Sequence, residues 1–256
     1  MQKRRHLLRM LVACGLAMAL CHPVAAEESV VKVGAKQNMR ATLITPDGDG
    51  PYPAVLVLHT SGGLQSADID YARRLVAQGY VALVPAFMEA YGIVARTRAD
   101  TFTGDAKPIY DDLVAALATL AQNAKVRGSK LGAVGFSNGG YFAAWLAATN
   151  AVQAGIAYYG AFSGAGTDRS LGRFREAFSA KSAPLLILHG AADGTVPVKL
   201  AQDLAAIVQS AHGTVELQIY PRTDHRFERE PASPAAQAAA ADAWQRSLAF
   251  VARYLK

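Results

Sequence analysis

Short, continuously apolar runs alternate with helical spacings along most of the chain. Ala54-Val55-Leu56-Val57-Leu58 is apolar at every position, the pattern of a strand covered on both faces by helices. Tyr80 to Val84, Leu131 to Val134, Ala154 to Tyr159 and Leu185 to Leu188 read the same way, and Val215 to Tyr220 reads as a further strand. Two earlier segments, Val30 to Val33 and Met39 to Thr45, alternate instead, and Pro46-Asp47-Gly48-Asp49-Gly50-Pro51 makes a turn after them, so the chain opens with an antiparallel start. Between the strands, Ile69, Ala72, Leu75 and Val76 recur at helical spacing, with Gly79 as the stop. A second helix starts near Pro108 and carries Leu113, Ala116, Leu117 and Leu120; others span Tyr141 to Ala148 and Val198 to Ala211. The last helix sets Trp244, Leu248, Val251 and Leu255 on one face, and the Ala-rich stretch Ala235 to Ala241 extends it, alanine being the best helix former. Strand and helix in alternation imply one α/β domain around a mostly parallel sheet. Pro85 to Thr103 reads as irregular, and its Phe87, Met88 and Tyr91 are candidate pocket walls.

The first residues read differently. Lys3, Arg4, Arg5 and Arg9 precede a short apolar stretch, Met10 to Cys21, and Val24-Ala25-Ala26 offers a cleavage site before Glu27, the plan of an export signal. The apolar stretch is too short for a membrane span. Arg4-Arg5-His6-Leu7-Leu8-Arg9 is similar to a twin-arginine signal, but Sec export explains the same residues with fewer assumptions. The expectation is a signal peptide at 1–26, a single domain at 27–256, and a periplasmic or secreted protein. The whole chain carries a net charge of +6, from 26 Lys and Arg against 20 Asp and Glu. Four of those basic residues lie in the signal, which leaves 22 against 20, so nucleic-acid binding has no electrostatic support. Both cysteines, Cys14 and Cys21, also fall in the signal, which leaves the mature chain no thiol nucleophile and no disulfide.

Chemistry concentrates at Gly135-Phe136-Ser137-Asn138-Gly139-Gly140. This G-x-S-x-G lies between an apolar run and a helix, the context in which it forms a sharp turn that lifts a serine hydroxyl above the sheet. A serine needs an imidazole to take its proton and a carboxylate to orient that imidazole. Of the four histidines beyond the signal, His59 and His189 end strands and read as hydrogen-bonded structural residues, and His212 lies late in a helix. His225 follows the last strand in a loop that can reach the sheet edge, and Asp193 follows the preceding strand in His189-Gly190-Ala191-Ala192-Asp193. The order Ser137, Asp193, His225 is that of an α/β-hydrolase. Asp224, adjacent to His225, reads as a loop acid. Tyr158 and Tyr159 are expected on opposite faces of their strand. The oxyanion is expected on two backbone amides, that of Asn138 and one from the turn that begins Thr60-Ser61.

At these residues the chain resembles the dienelactone hydrolase family. The resemblance covers most of the mature chain: Gly79-Tyr80 with Pro85, Asp112-Leu113, the turn around Ser137, Tyr158-Tyr159-Gly160, Asp193 with Val196-Pro197, and His225 with Phe227. It implies an α/β-hydrolase fold with about eight strands, a triad at the strand ends, hydrolysis of small esters or lactones, and no metal or organic cofactor. Best-known members of the family carry a cysteine where Ser137 stands and a glutamate where Thr60 stands, so ordinary serine esterase chemistry is expected in this frame. Arg229 matches one of two arginines that hold the substrate carboxylate in the family, and Ala90 stands in place of the other; Phe227 joins the candidate pocket walls. Gly160 to Ala183 is too short for a large cap domain, so an open site for short acyl chains is expected. The expected partner is a small ester or lactone, and the expected state a monomer. A serine peptidase, a polyester or acetylxylan esterase and an inactive secreted binding protein are the rival readings.

Overall fold

Five of the sequence's apolar runs line up as neighbours in one eight-stranded sheet, seen in a computed structural model that describes residues 26–36, 38–162 and 169–256. The strands are β1 (Ala26–Val33), β2 (Met39–Pro46), β3 (Tyr52–Leu58), β4 (Val81–Pro85), β5 (Val126–Phe136), β6 (Ala154–Tyr158), β7 (Leu185–Gly190) and β8 (Val215–Tyr220), in the spatial order β1-β2-β4-β3-β5-β6-β7-β8. β1 pairs antiparallel with β2, and β2 with β4; every other pairing is parallel. This is an α/β-hydrolase sheet, as the alternation of elements predicts. Residues 1–25 of the proposed signal lie outside the described residues, and its last residue, Ala26, pairs with Pro46 in the first strand pair.

Period-two geometry splits each apolar run between two cores. Ala54, Leu56 and Leu58 of β3 face one layer, with α2 (Ala106–Ala121), α3 (Asn138–Ala148), α4 (Arg169–Ala177) and α5 (Val198–Ser210). Val55 and Val57 face the other, which α1 (Ser66–Val76) and α6 (Pro234–Leu255) cover. Every residue of α3 is buried, which accounts for its apolar sequence all round. Helix α6 starts where Ser233 Oγ accepts the Ala236 amide at 3.1 Å, with Pro234 in its first turn. At the start of α1, Asp68 Oδ2 reaches back to accept the Gln65 amide at 2.9 Å.

Two expectations need correction. β5 begins at Val126, five residues before its apolar run, because Val126 pairs with Tyr52 and the mostly exposed Arg127 to Lys130 bulge out of register before Leu131 pairs with Ala54. Tyr158 and Tyr159 do not go to opposite faces: both join the α1/α6 layer, their ring centroids 6.3 Å apart. The cause is a φ of 36° at Tyr159, just past the end of β6, which turns the second ring back to the face of the first. The irregular stretch after β4 contains two 3-10 segments, Glu89–Tyr91 and Ala95–Phe102. No helix among the described residues is long and apolar enough to cross a membrane.

Candidate active site

The parallel strands β3, β5, β6, β7 and β8 run the same way, so the loops after them meet at one edge. Ser137 stands at that edge in a backbone conformation few L residues adopt, φ 53° and ψ −111°, between β5 and α3. Glycine is required on either side of it. A Cβ on Gly135 would lie 2.0 Å from the Gly139 carbonyl oxygen, and one on Gly139 would lie 2.2 Å from that of Leu58. The turn is tied to its neighbours by the Ser137 amide, which donates to Tyr158 O at 3.0 Å, and by the Gly139 amide, which donates to His59 O at 3.1 Å.

Asp193 and His225 come together from the loops after β7 and β8. His225 Nδ1 lies 2.7 Å from Asp193 Oδ2, with the carboxylate side chain wholly buried and the imidazole 11% exposed. Asp193 Oδ1 accepts the amides of Thr195 and Val196 at 2.8 and 2.7 Å, so both carboxylate oxygens are fixed. Burial would raise the carboxyl pKa, but hydrogen bonding from the His189 side, from His225 and from the Val196 amide outweighs it and holds Asp193 well below the usual carboxylate range. With Nδ1 turned to Asp193, Nε2 of His225 is the nitrogen left for a serine. Among the described residues no hydrogen bond links that nitrogen to Ser137 Oγ; such bonds commonly tighten only when substrate is bound. Asp224 is indeed a loop acid, its Oδ1 accepting the amides of Gly194 at 3.0 Å and of His225 at 2.7 Å.

On the other side of Ser137 lies the turn after β3. Gly62 donates its amide to Thr60 Oγ1 and Gly63 donates to Thr60 O, both at 3.2 Å. Thr60 thus accepts twice within its own turn, and Asn138 opens α3 directly after Ser137. His59 is structural, as expected: its Nδ1 lies 2.7 Å from Thr60 O and its ring stacks on Phe87 at 4.0 Å. Glu89, which sequence reading passed over, reaches this turn from the far side. Its Oε1 accepts the Leu64 amide at 2.7 Å and its Oε2 lies 3.3 Å from His59 Nε2, which has no partner in hydrogen-bond geometry among the described residues. His189 is also buried, with Nε2 2.9 Å from Val196 O and 3.3 Å from Asp193 Oδ2.

The candidate substrate contacts fare differently. Phe87 and Met88 are fully buried in the core on the α2/α3 side of the sheet, where Phe87 packs between His59 and Phe142, so they are core residues and not open pocket walls. Phe227 is buried too, packed on Tyr220 and Tyr159 with centroids 5.2 and 5.8 Å away. Tyr91 is half-buried and donates its hydroxyl to Asp112 Oδ2 at 2.8 Å. Arg229 is only 4% exposed and already paired: Nη2 donates to Asp68 Oδ1 at 3.0 Å and Nε to Glu228 Oε1 at 2.7 Å. Long-range pairings of this kind leave no trace in local spacing, which is why an arginine four residues after a candidate base reads as free. Among the described residues no group of three His, Cys, Asp or Glu could hold a metal ion.

A sequence model of the dienelactone hydrolase family matches residues 39–255. A Methylorubrum extorquens protein provisionally named carboxymethylenebutenolidase is 28% identical over 95% of this chain and 90% of its own length. A Bradyrhizobium protein, provisionally a 2-oxo-3-(5-oxofuran-2-ylidene)propanoate lactonase, is 27% identical over 88% of this chain and 94% of its own. Among solved structures, one from Klebsiella pneumoniae described provisionally as a dienelactone hydrolase superposes with a TM-score of 0.76 at 25% identity, over 90% of this chain and 100% of that one.

Proposed function

The chain belongs to the dienelactone hydrolase family and is a hydrolase of the α/β fold, and from that premise we propose that Ser137, His225 and Asp193 act as a catalytic triad on small carboxylic esters or lactones. The observation that carries this reading is the pairing of a serine on a strained strand-to-helix turn with an Asp193–His225 hydrogen bond of 2.7 Å at the same sheet edge. The names of the Methylorubrum and Bradyrhizobium relatives support lactone or ester substrates.

In the proposed reaction His225 Nε2 takes the Ser137 proton as Oγ attacks the carbonyl carbon. The ionised Asp193 holds the ring in the Nδ1–H tautomer and stabilises the imidazolium. Negative charge on the carbonyl oxygen is met by the Asn138 amide and by that of Thr60 or Ser61; loss of one such donor costs on the order of a hundredfold or more in rate. His225 then returns the proton to the leaving alcohol. Water, activated by the same nitrogen, cleaves the acyl-serine and restores the hydroxyl. Short acyl chains are favoured, since the chain after β6 contributes only the nine-residue α4 over this side of the sheet among the described residues. Export to the periplasm or beyond belongs to the same proposal, supported by the basic and apolar residues before Glu27.

Turnover of p-nitrophenyl acetate and butyrate by the protein and by Ser137→Ala tests the reading. Activity lost in a folded variant is expected, and activity that survives there would remove Ser137 from the mechanism. N-terminal sequencing of the exported protein should begin at Glu27; retention of residue 1 in the cytoplasmic fraction would overturn the export step.

A further inference from the structure

We infer that Arg229 is a positioning residue that ties the histidine loop, the serine turn and the oxyanion turn together through Glu228 and Asp68. The inference rests on the triad reading above. Three separate segments meet at this guanidinium. On the first side, Arg229 Nε donates to Glu228 Oε1 at 2.7 Å, Glu228 Oε2 accepts the Tyr159 hydroxyl, and the Tyr159 ring packs on His225 with centroids 4.5 Å apart. On the second, Nη2 donates to Asp68 Oδ1 at 3.0 Å, while Asp68 Oδ2 accepts the Gln65 amide at 2.9 Å, at the end of the turn that begins with Thr60. On the third, the guanidinium carbon lies 4.6 Å from the ring centroid of Phe136, the residue directly before Ser137.

The three charged side chains are all buried, with 4% of Arg229, 7% of Glu228 and none of Asp68 exposed. Burial disfavours the cation, but Tyr159, Glu228 and Asp68 outweigh it and keep the guanidinium charged. Tyr159, buried beside Glu228, is held as the neutral phenol, and so remains a hydrogen-bond donor to that carboxylate. A cluster of this kind is costly to assemble and to break, and it adds little stability over an apolar core. What it supplies here is registry. The base, the nucleophile turn and the oxyanion amides come from loops after three different strands, and a misplacement of about 1 Å between such groups costs on the order of a hundredfold in rate. Arg229 thus acts through Tyr159, Phe136 and Asp68 and does not need to touch the substrate. The remaining nitrogen, Nη1, has no hydrogen-bond partner among the described residues.

The test uses the full chain with Asp68→Asn, and Arg229→Lys as a second variant in case the first fails to fold. An amide at position 68 has one acceptor oxygen, so it keeps either the Arg229 or the Gln65 bond but not both. Kinetics are compared on p-nitrophenyl acetate, which is neutral, and on the anionic p-nitrophenyl hemisuccinate, together with hydrogen exchange of residues 60–65 and 225–229. The expected result is a fall in kcat of about tenfold or more on both esters with KM unchanged, and faster exchange in both segments. A rise in KM for the anionic ester alone would overturn the inference in favour of direct substrate binding. Wild-type kcat in a folded variant, or faster exchange in only one of the two segments, would overturn it as well. If the unaltered protein and Ser137→Ala turn over neither ester, the triad reading fails instead, and the exchange of the two segments alone decides whether the tie exists.

Discussion

Replacing Asp193 by asparagine changes one atom and a charge, and its effect follows from the contacts that atom makes. The amides of Thr195 and Val196 hold Oδ1 in place, so the new Nδ2H2 group takes the position of Oδ2, 2.7 Å from His225 Nδ1. Two donors then face each other. The ring escapes by moving its proton to Nε2, the nitrogen that must accept the serine proton. The lost charge adds to this. With the centres of imidazolium and carboxylate about 4 Å apart and an effective dielectric near 20, the attraction is about 4 kcal/mol, or about a thousandfold in rate. An isosteric change of this kind in a Ser-His-Asp triad costs on the order of 10⁴ in kcat, so a fall between about 10³ and 10⁴ is expected. The new amide also meets the Nε2 side of His189, 3.3 Å from the replaced oxygen, which is expected to cost about 1–3 kcal/mol of stability without unfolding the domain. Steady-state hydrolysis of p-nitrophenyl acetate reads the first effect and urea unfolding the second. A folded Asp193→Asn protein that keeps a tenth of the wild-type kcat would refute the assignment of Asp193 as the acid.

Three further outcomes are expected. Gly139→Ala should leave little folded protein, since its methyl would lie 2.2 Å from Leu58 O and 2.7 Å from His59 O, both backbone atoms that cannot move alone; a cost of about 3 kcal/mol or more is expected, and a normal melting temperature would refute the close approach. Glu89 is lowered to about 2, since burial, which raises it, is outweighed by His59 and by backbone hydrogen bonds. A carboxyl depressed on folding contributes stability above its unfolded value, near 4.5, and loses it as pH falls through the folded one. Urea midpoints of the protein and of Glu89→Gln should therefore converge between about pH 5 and about pH 2, by less than about 1 kcal/mol because the side chain is 45% exposed; a gap that is constant with pH would refute the coupling. Tyr91→Phe removes a hydroxyl bonded to Asp112 and should cost about 1–3 kcal/mol of stability with KM unchanged; a change in KM would restore Tyr91 to the substrate site.

Much of this architecture is legible in the sequence because parallel strands must be apolar on both faces. Val55 to Leu58 of β3 and Leu185 to Leu188 of β7 announce themselves by composition alone, and their order fixes which loops share an edge. The candidate triad is legible for the same reason, since its members stand directly after β5, β7 and β8. What local pattern cannot carry is pairing across the sheet. Nothing near Glu89 predicts its bond to Leu64, 25 residues away, and nothing near Arg229 predicts Asp68, 161 residues away. Phe87 and Met88 show the opposite failure: apolar residues in an irregular stretch suggest a pocket lining, yet burial in the core claims them first. Tyr159 escapes the strand alternation because a single positive φ follows β6, and a tyrosine there gives no signal of it.

The most direct test of Ser137 as the nucleophile is mass spectrometry of the protein after reaction with a fluorophosphonate and, separately, after rapid acid quench during p-nitrophenyl acetate turnover. A single phosphonyl or acetyl adduct on the peptide that carries Ser137, absent from Ser137→Ala, is the predicted result. An adduct on another residue, or turnover by folded protein with Ser137 unmodified throughout, would contradict it.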